Sequence, residues 1–263
     1  MAEVAVLIPH YNSIDTLVKS IKSINEDIKV DVFIIDDGSF VKPKQSDFEF
    51  YELGDIFISG YEHNKGIEYA LNHGLKIIQS KGYEFISRLD CADTCNKNRF
   101  SKQIEFLKSN ADISFIGTWV NIVDEKGEFL YIHKTPAKHS DIKNKMYFNA
   151  MFIHPTICFR SSLIDDIGLY PTEYKAAEDY AFFFKVIKAH KTANIPEALV
   201  NVETNDFGIS GSKRKQQVRT RIKLILKHFY FGFYPIYGLL RNYILLFVSR
   251  KSSTALKKLL YKN

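Results

Sequence analysis

Acidic and amide side chains recur in this sequence at the ends of short apolar runs. His10, Tyr11 and Asn12 follow Val4 to Pro9, Asp36 and Asp37 close the run from Val30, Asn64 precedes Gly66, and Asp90 and Asp93 follow the run from Tyr83. Four such loops gathered at one edge suit a nucleotide, with side-chain oxygens for base and ribose and a cation to offset the phosphates. There is no G-x-G-x-x-G and no Walker loop, so phosphate binding must rely on a metal or on scattered basic groups. Taken singly, Asp-Gly-Ser reads as a turn and Asn-x-Gly as a helix cap. Their joint order is what makes the set informative. A further pair, Glu178-Asp179, opens a pattern with Phe183 and Ile187 inward. Acids at a helix start are favoured by its dipole, and a carboxylate within reach of a hydroxyl can also take its proton.

The elements that must position these residues follow from periodicity. Val4 to Pro9 is a β-branched apolar run that reads as a buried strand, and Asn12 or Ser13 can cap a helix carrying Leu17, Ile21 and Ile24. Val30 to Ile35, Asp55 to Ser59 and Tyr83 to Leu89 read as further strands. Ile67, Leu71, Leu75 and Ile78 mark one helix, and Phe100, Ile104 and Leu107 another. Repeated strand, loop and helix units imply an α/β fold around a mainly parallel sheet, whose carboxyl edge is where ligands bind. Ile113 to Val123 and Glu128 to His133 flank Glu125-Lys126-Gly127 and read as a hairpin.

The 263 residues are 46% apolar and 25% charged, which excludes a disordered chain or a disulfide scaffold. Cys91, Cys95 and Cys158 cannot pair completely and fit a reducing compartment, and no CxxC pair points to zinc. No cleavable signal peptide opens the chain, because Glu3 and Pro9 interrupt its start. Charge is divided unevenly: residues 207–263 hold thirteen of the 36 Lys and Arg and none of the 30 acids, leaving 23 cations against 30 anions before them. The expectation is a body of residues 1–211 and a basic, aromatic helical tail of residues 212–263, joined through Gly208 to Gly211.

Ile8-Pro9-His10-Tyr11-Asn12, Ile34-Ile35-Asp36-Asp37-Gly38-Ser39, Asn64-Lys65-Gly66 with Ala70-Leu71-Asn72, and Arg88-Leu89-Asp90-Cys91-Ala92-Asp93 followed by Arg99 and Gln103 resemble family 2 glycosyltransferases, collinearly over residues 4–205. The resemblance implies the GT-A fold, a Rossmann-like mixed sheet flanked by helices, and bacterial surface-polysaccharide assembly. It places Pro9, Tyr11, Asn12, Asp36, Asp37, Asn64, Gly66, Arg88 and Asp90 around a nucleotide-sugar donor, with UDP the default. Met151 to Thr156, with His154, resembles the segment beneath the donor sugar. Glu178-Asp179 matches the acceptor-base motif, with Asp179 the base and Glu178 contacting acceptor or backbone.

Members similar to this chain usually read Asp-Ala-Asp-Asp where it has Asp90 to Asp93, so Ala92 replaces a carboxylate. Mn²⁺ or Mg²⁺ needs hard oxygen ligands, and Asp93 is expected to be the main one, with Asp90 holding ribose or Arg88 or adding a second carboxylate. Processive members carry several spans and Gln-x-x-Arg-Trp, whereas Gln216-Gln217-Val218-Arg219 ends here in Thr220, so one sugar is added per encounter.

The tail's cations favour an anionic surface, and Phe229, Tyr230, Phe231, Phe233, Tyr234 and Tyr237 suit the headgroup boundary. The expected setting is cytoplasmic and peripheral at the inner face of the membrane, facing a glycan or lipid-linked acceptor. Packing of the tail on the body, or on a second copy in a homo-oligomer, is the alternative. Two other classes stay open. A nucleotidyltransferase could share the sheet but would carry a Gly-rich basic loop after its first strand. A nucleic-acid binding module would use the tail, yet the acidic body serves no such purpose, and no nucleic acid is expected as partner.

Overall fold

The computed structural model describes residues 2–203 and 214–247. The expected connection at Gly208 to Gly211, the cut at 211/212 and the last sixteen residues lie outside them. Strands β1 (Val4–His10), β2 (Val30–Asp37), β3 (Ile56–Tyr61) and β4 (Phe85–Arg88) pair in parallel in the order β3-β2-β1-β4. The intervening helices are α1 (Ile14–Lys22) and α2 (Ile67–Lys81). β1 and β2 are buried along nearly their whole length because both sheet faces are covered. Alternation divides them between two cores: Ala5, Leu7, Phe33 and Ile35 pack under α2, and Val4, Val6, Ile8, Val32 and Ile34 pack under α1 and α3 (Arg99–Ser109).

Beyond β4 the sheet turns mixed. After the short β5 (Thr94–Cys95), β6 (Ile113–Val123) and β7 (Phe129–His133) form the expected hairpin. Past α4 (His139–Lys145), β8 (Cys158–Arg160) runs antiparallel between β4 and β6. It is entered from a tight 3₁₀ turn, His154–Thr156, instead of a crossover helix, so the chain arrives with its direction reversed. After α5 (Leu163–Ile167), α6 (Glu178–Ala189) leads into β9 (Lys191–Glu203), which pairs in parallel with β6.

The C-terminal segment is folded onto this body. In α7 (Arg214–Lys227), Leu224 and Ile225 belong to the same core as Phe182, Phe183 and Phe184 of α6. His228 stacks on Phe184 with ring centroids 4.8 Å apart, and its carbonyl accepts from the Tyr147 hydroxyl at 2.7 Å. α8 (Phe233–Phe247) then crosses the turn at Tyr147 and Phe148. The body's core therefore does not end at residue 211. α7 packs as a structural helix because its basic residues alternate with Val218, Ile222 and Ile225, which give it an apolar side. Ile225 is fully buried, so Ile225→Ala is expected to cost about 2–5 kcal/mol in chemical denaturation. An independent tail would show no change.

Candidate active site

The carboxyl ends of β1, β2 and β4 and the start of α6 enclose a cleft of about 500 Å³ lined by Pro9, Tyr11, Asp37, Asn64, Gly66, Asp90 and Glu178, together with Lys65 and Lys175. Seven residues expected from the sequence thus meet at one place. Tyr11 stands at its mouth, 47% exposed, with its ring available for a flat base.

The second ring of residues holds the loops in place. His10 is buried; its Nδ1 donates to Asp36 Oδ1 at 2.8 Å while its Nε2 accepts from the Ser13 amide at 3.2 Å, which fixes the tautomer. Ser39 donates from its hydroxyl to Asp36 Oδ1 at 2.5 Å and accepts from the Asn12 amide at 2.8 Å. Asn12 Oδ1 in turn accepts from the Phe40 amide. Asp36 and Asn12 therefore lace the first loop to the second and are not brought to the cleft lining. Asp37 has both oxygens engaged, by the amides of Lys65 at 2.8 Å and Gly66 at 2.9 Å, so it clamps the Asn64-Lys65-Gly66 loop beside the ligand space. Gly38 permits this closeness. Its φ is +77°, and a Cβ there would stand 2.3 Å from the His63 carbonyl carbon.

Arg88 is buried beneath the cleft floor. Its Nε donates to Asp90 Oδ1 at 2.8 Å, and Nη1 lies against both ring nitrogens of His154. Burial, then the Arg88 charge, holds His154 well below its usual range, so the ring is neutral. Its Nε2 is 2.9 Å from the Tyr170 hydroxyl. Asn72 fixes that neighbour through two bonds, donating to the Tyr170 carbonyl and accepting from its amide. Arg99 and Gln103 serve the same floor from α3: Arg99 Nη2 donates to the carbonyls of Arg88 and Pro155, and Gln103 to that of Thr156. Arg88 thus acts on the cleft through Asp90, while His154 and Tyr170 lie behind it with Arg88 and are not lining residues.

Asp90 and Asp93 are separated by a turn in which the Asp93 amide donates to the Asp90 carbonyl at 3.2 Å, with Ala92 at φ +79°. That conformation costs an alanine of order 1 kcal/mol, as does φ +62° at the cleft-lining Ala176, and such strain collects at functional loops. Asp90 reaches the cleft; Asp93 does not. Asp93 is buried and its Oδ1 accepts from the Glu203 amide at the end of β9. Burial, then the nearby Asp90 charge, raises Asp93 well above the usual carboxylate range.

Among the described residues no group of three or more His, Cys, Asp or Glu gathers as a metal cage. The two acids fit a hard divalent cation that takes one or two carboxylates and completes its shell from phosphate and water. Of the two, Asp90 lines the cleft from which a cation would enter and Asp93 does not.

At the start of α6, Glu178 lines the cleft, and burial, then the Asp179 charge, pushes it up to about 7. Its Oε2 has no hydrogen-bond partner. Asp179 is half-buried and also raised by desolvation, but its anion accepts from the Tyr180 amide at 2.6 Å and is favoured by the charges of Arg221 and Arg88. When the pair carries one charge, that charge belongs on Asp179. Arg221 comes from α7, with its guanidinium 5.7 Å from the Tyr180 ring centre. Nothing in its own sequence neighbourhood announces that role. Tyr170 is equally unmarked in the sequence, since a buried support is visible only once its partners are.

Among known proteins, the chain is 26% identical over 193 residues to the amylovoran biosynthesis glycosyltransferase AmsE of Erwinia amylovora, covering 71% of each chain. It is 28% identical over 210 residues, 76% of this chain and 71% of the relative, to the UDP-Gal:alpha-D-GlcNAc-diphosphoundecaprenol beta-1,3-galactosyltransferase of Escherichia coli. The fold superposes on S. aureus TarS 1-349 in complex with UDP-GlcNAc with a TM-score of 0.68 at 19% identity, covering 97% of this chain and 75% of that one. That likeness shows the GT-A-like arrangement. The Glycosyl transferase family 2 profile matches residues 5–168, more than half of the sequence. The chain therefore belongs to glycosyl transferase family 2 and is an enzyme that transfers a glycosyl group.

Proposed function

We propose that the protein moves one sugar, with inversion, from a UDP-sugar to a hydroxyl of a glycan or lipid-linked acceptor in surface-polysaccharide assembly, at the cytoplasmic face of the cell membrane. The observation that carries this reading is the meeting in one cleft of the nucleotide-side loops, at Tyr11, Asn64 and Asp90, with Glu178 at the start of α6, beside which Asp179 stands next in the chain without lining the cleft. The relatives support it by their names, one for amylovoran and one for a UDP-Gal donor with a diphosphoundecaprenol acceptor.

The chemistry assigns each part a task. Tyr11 faces the base, and the loop held by Asp37 packs beside the ribose. Asp179 takes the proton of the acceptor hydroxyl as that oxygen attacks the anomeric carbon, on the side opposite the departing nucleoside diphosphate, which leaves with the electrons of the broken C–O bond. Glu178, its protonated form favoured by burial and that neighbouring charge, donates a hydrogen bond to the acceptor. Lys65 and Lys175 face the cleft where the diphosphate's charge must be met. A Mn²⁺ or Mg²⁺ ion held by Asp90, with Asp93 as second carboxylate, would supply further stabilisation of that leaving group.

Among the described residues no helix is long and apolar enough to cross a membrane. Incubation with UDP-, GDP-, CDP- and dTDP-sugars and a short lipid-linked acceptor tests the assignment. Release of UDP with one sugar added per acceptor is expected. Transfer from another nucleotide alone would overturn the UDP assignment, and repeated addition the single-transfer one.

A further inference from the structure

The last described helix presents its sides in reverse of the usual order for a globular surface. α8 turns Phe233, Ile236, Leu240, Tyr243, Ile244 and Phe247 outward at spacings of three and four, a single stripe in which Phe233 is 69% and Phe247 89% exposed. Its packed side mixes Tyr234 and Leu239, which lie against the body's core, with small and polar residues. Pro235, Gly238 and Asn242 are buried there, and a Cβ on Gly238 would stand 2.2 Å from the Tyr147 carbonyl oxygen. Arg241 donates to the Phe148 carbonyl. Packing on the body thus accounts for one side of the helix and leaves the outward apolar stripe without an occupant among the described residues.

We infer that this stripe lies in the headgroup boundary of an anionic bilayer, with α8 parallel to the membrane plane. The fifteen described residues at about 1.5 Å each fall short of a hydrocarbon core of about 30 Å, and their one-sided exposed stripe suits lying along the membrane. Charge selects the occupant. Lys215, Arg219 and Lys223 are exposed on the adjoining α7, and residues 248–263, directly after the stripe, add five cations and no acid. A second copy docked on the same face would set these cations against their equivalents, with no Asp or Glu after Asp206 to pair with them. Anionic headgroups neutralise them instead, while the Tyr243 ring suits the boundary with its apolar body and polar tip.

The surface is tied to the cleft. His228, between α7 and α8, stacks on Phe184 of α6, the helix that begins with Glu178 and Asp179. A lipid-linked acceptor would meet a segment packed on the helix that begins with the acid pair; only this consequence rests on the proposed function, not the lipid binding itself.

Sedimentation of the full chain with phosphatidylcholine vesicles, with and without phosphatidylglycerol, tests the inference. The protein is expected to bind only the anionic vesicles at low salt and to be released as salt rises. The triple variant Leu240→Gln, Ile244→Gln, Phe247→Gln should bind at least about tenfold more weakly, with an unchanged melting temperature and unchanged transfer to a soluble acceptor. Absence of binding by the intact protein, or undiminished binding by a folded triple variant, would overturn the inference. So would a lipid-free dimer in sedimentation velocity that the triple variant dissolves, since the occupant would then be a second copy. A protein that binds vesicles but transfers no sugar would count against the proposed function alone.

Discussion

Asp179→Asn is expected to lower turnover by about 10² to 10⁴-fold while nucleotide binding stays nearly intact. The substitution keeps the side chain's shape and its contact with the Tyr180 amide but removes the lone pair that accepts the acceptor's proton. Glu178→Gln should cost less, because the neutral amide still donates a hydrogen bond where the protonated acid did. The pH profile carries a further sign. A base must be ionised to work, and desolvation raises Asp179, so wild-type turnover should fall as pH drops through a range above that of an ordinary carboxylate. Glu178→Gln replaces one neutral donor with another and should leave the position of that fall nearly unchanged. Full activity in Asp179→Asn would remove it from the reaction.

The second large effect is expected at Asp90. Its carboxylate joins the buried Arg88 to the cleft, and Asp90→Asn should cost about 2 kcal/mol of stability, since a charge-assisted hydrogen bond to a buried guanidinium is weakened. The same substitution should abolish the strengthening of UDP binding by Mn²⁺, whereas Asp93→Asn should reduce it only in part. Titration calorimetry with UDP in EDTA and in Mn²⁺ separates the two. Equal metal enhancement in wild type and Asp90→Asn would place the cation on other residues. Loss in Asp93→Asn with retention in Asp90→Asn would restore Asp93, the ligand expected from the motif, to first place.

The sequence made the parallel half of the fold legible because its strands are unbroken β-branched runs and its helices repeat apolar residues one turn apart. Val30 to Ile35 and the Ile67, Leu71, Leu75, Ile78 set are direct readings of β2 and α2. The reversal at β8 was hidden, since Cys158 to Arg160 is too short to show a period and only the His154–Thr156 turn sets its direction. At the cleft, residue types gave the chemistry but not the depth. Asp36 and Asp37 read as equivalent acids, yet one is knotted to His10 and Ser39 and the other clamps a loop. Asp93 looked a better ligand than Asp90 by motif position, while burial against β9 reverses the order of access. The C-terminal segment misled in another way: its basic composition concealed that alternate residues of α7 complete the body's core, and that the apolar face left over belongs to α8.

The most direct measurement is the anomeric configuration of the transferred sugar, read by NMR from the coupling at its anomeric proton. Single displacement at the α6 acid pair predicts a product linkage of configuration opposite to that of the UDP-sugar consumed, with UDP as the other product. A linkage of the same configuration would contradict it, since that outcome requires a different course of displacement from the one Asp179 is positioned to serve.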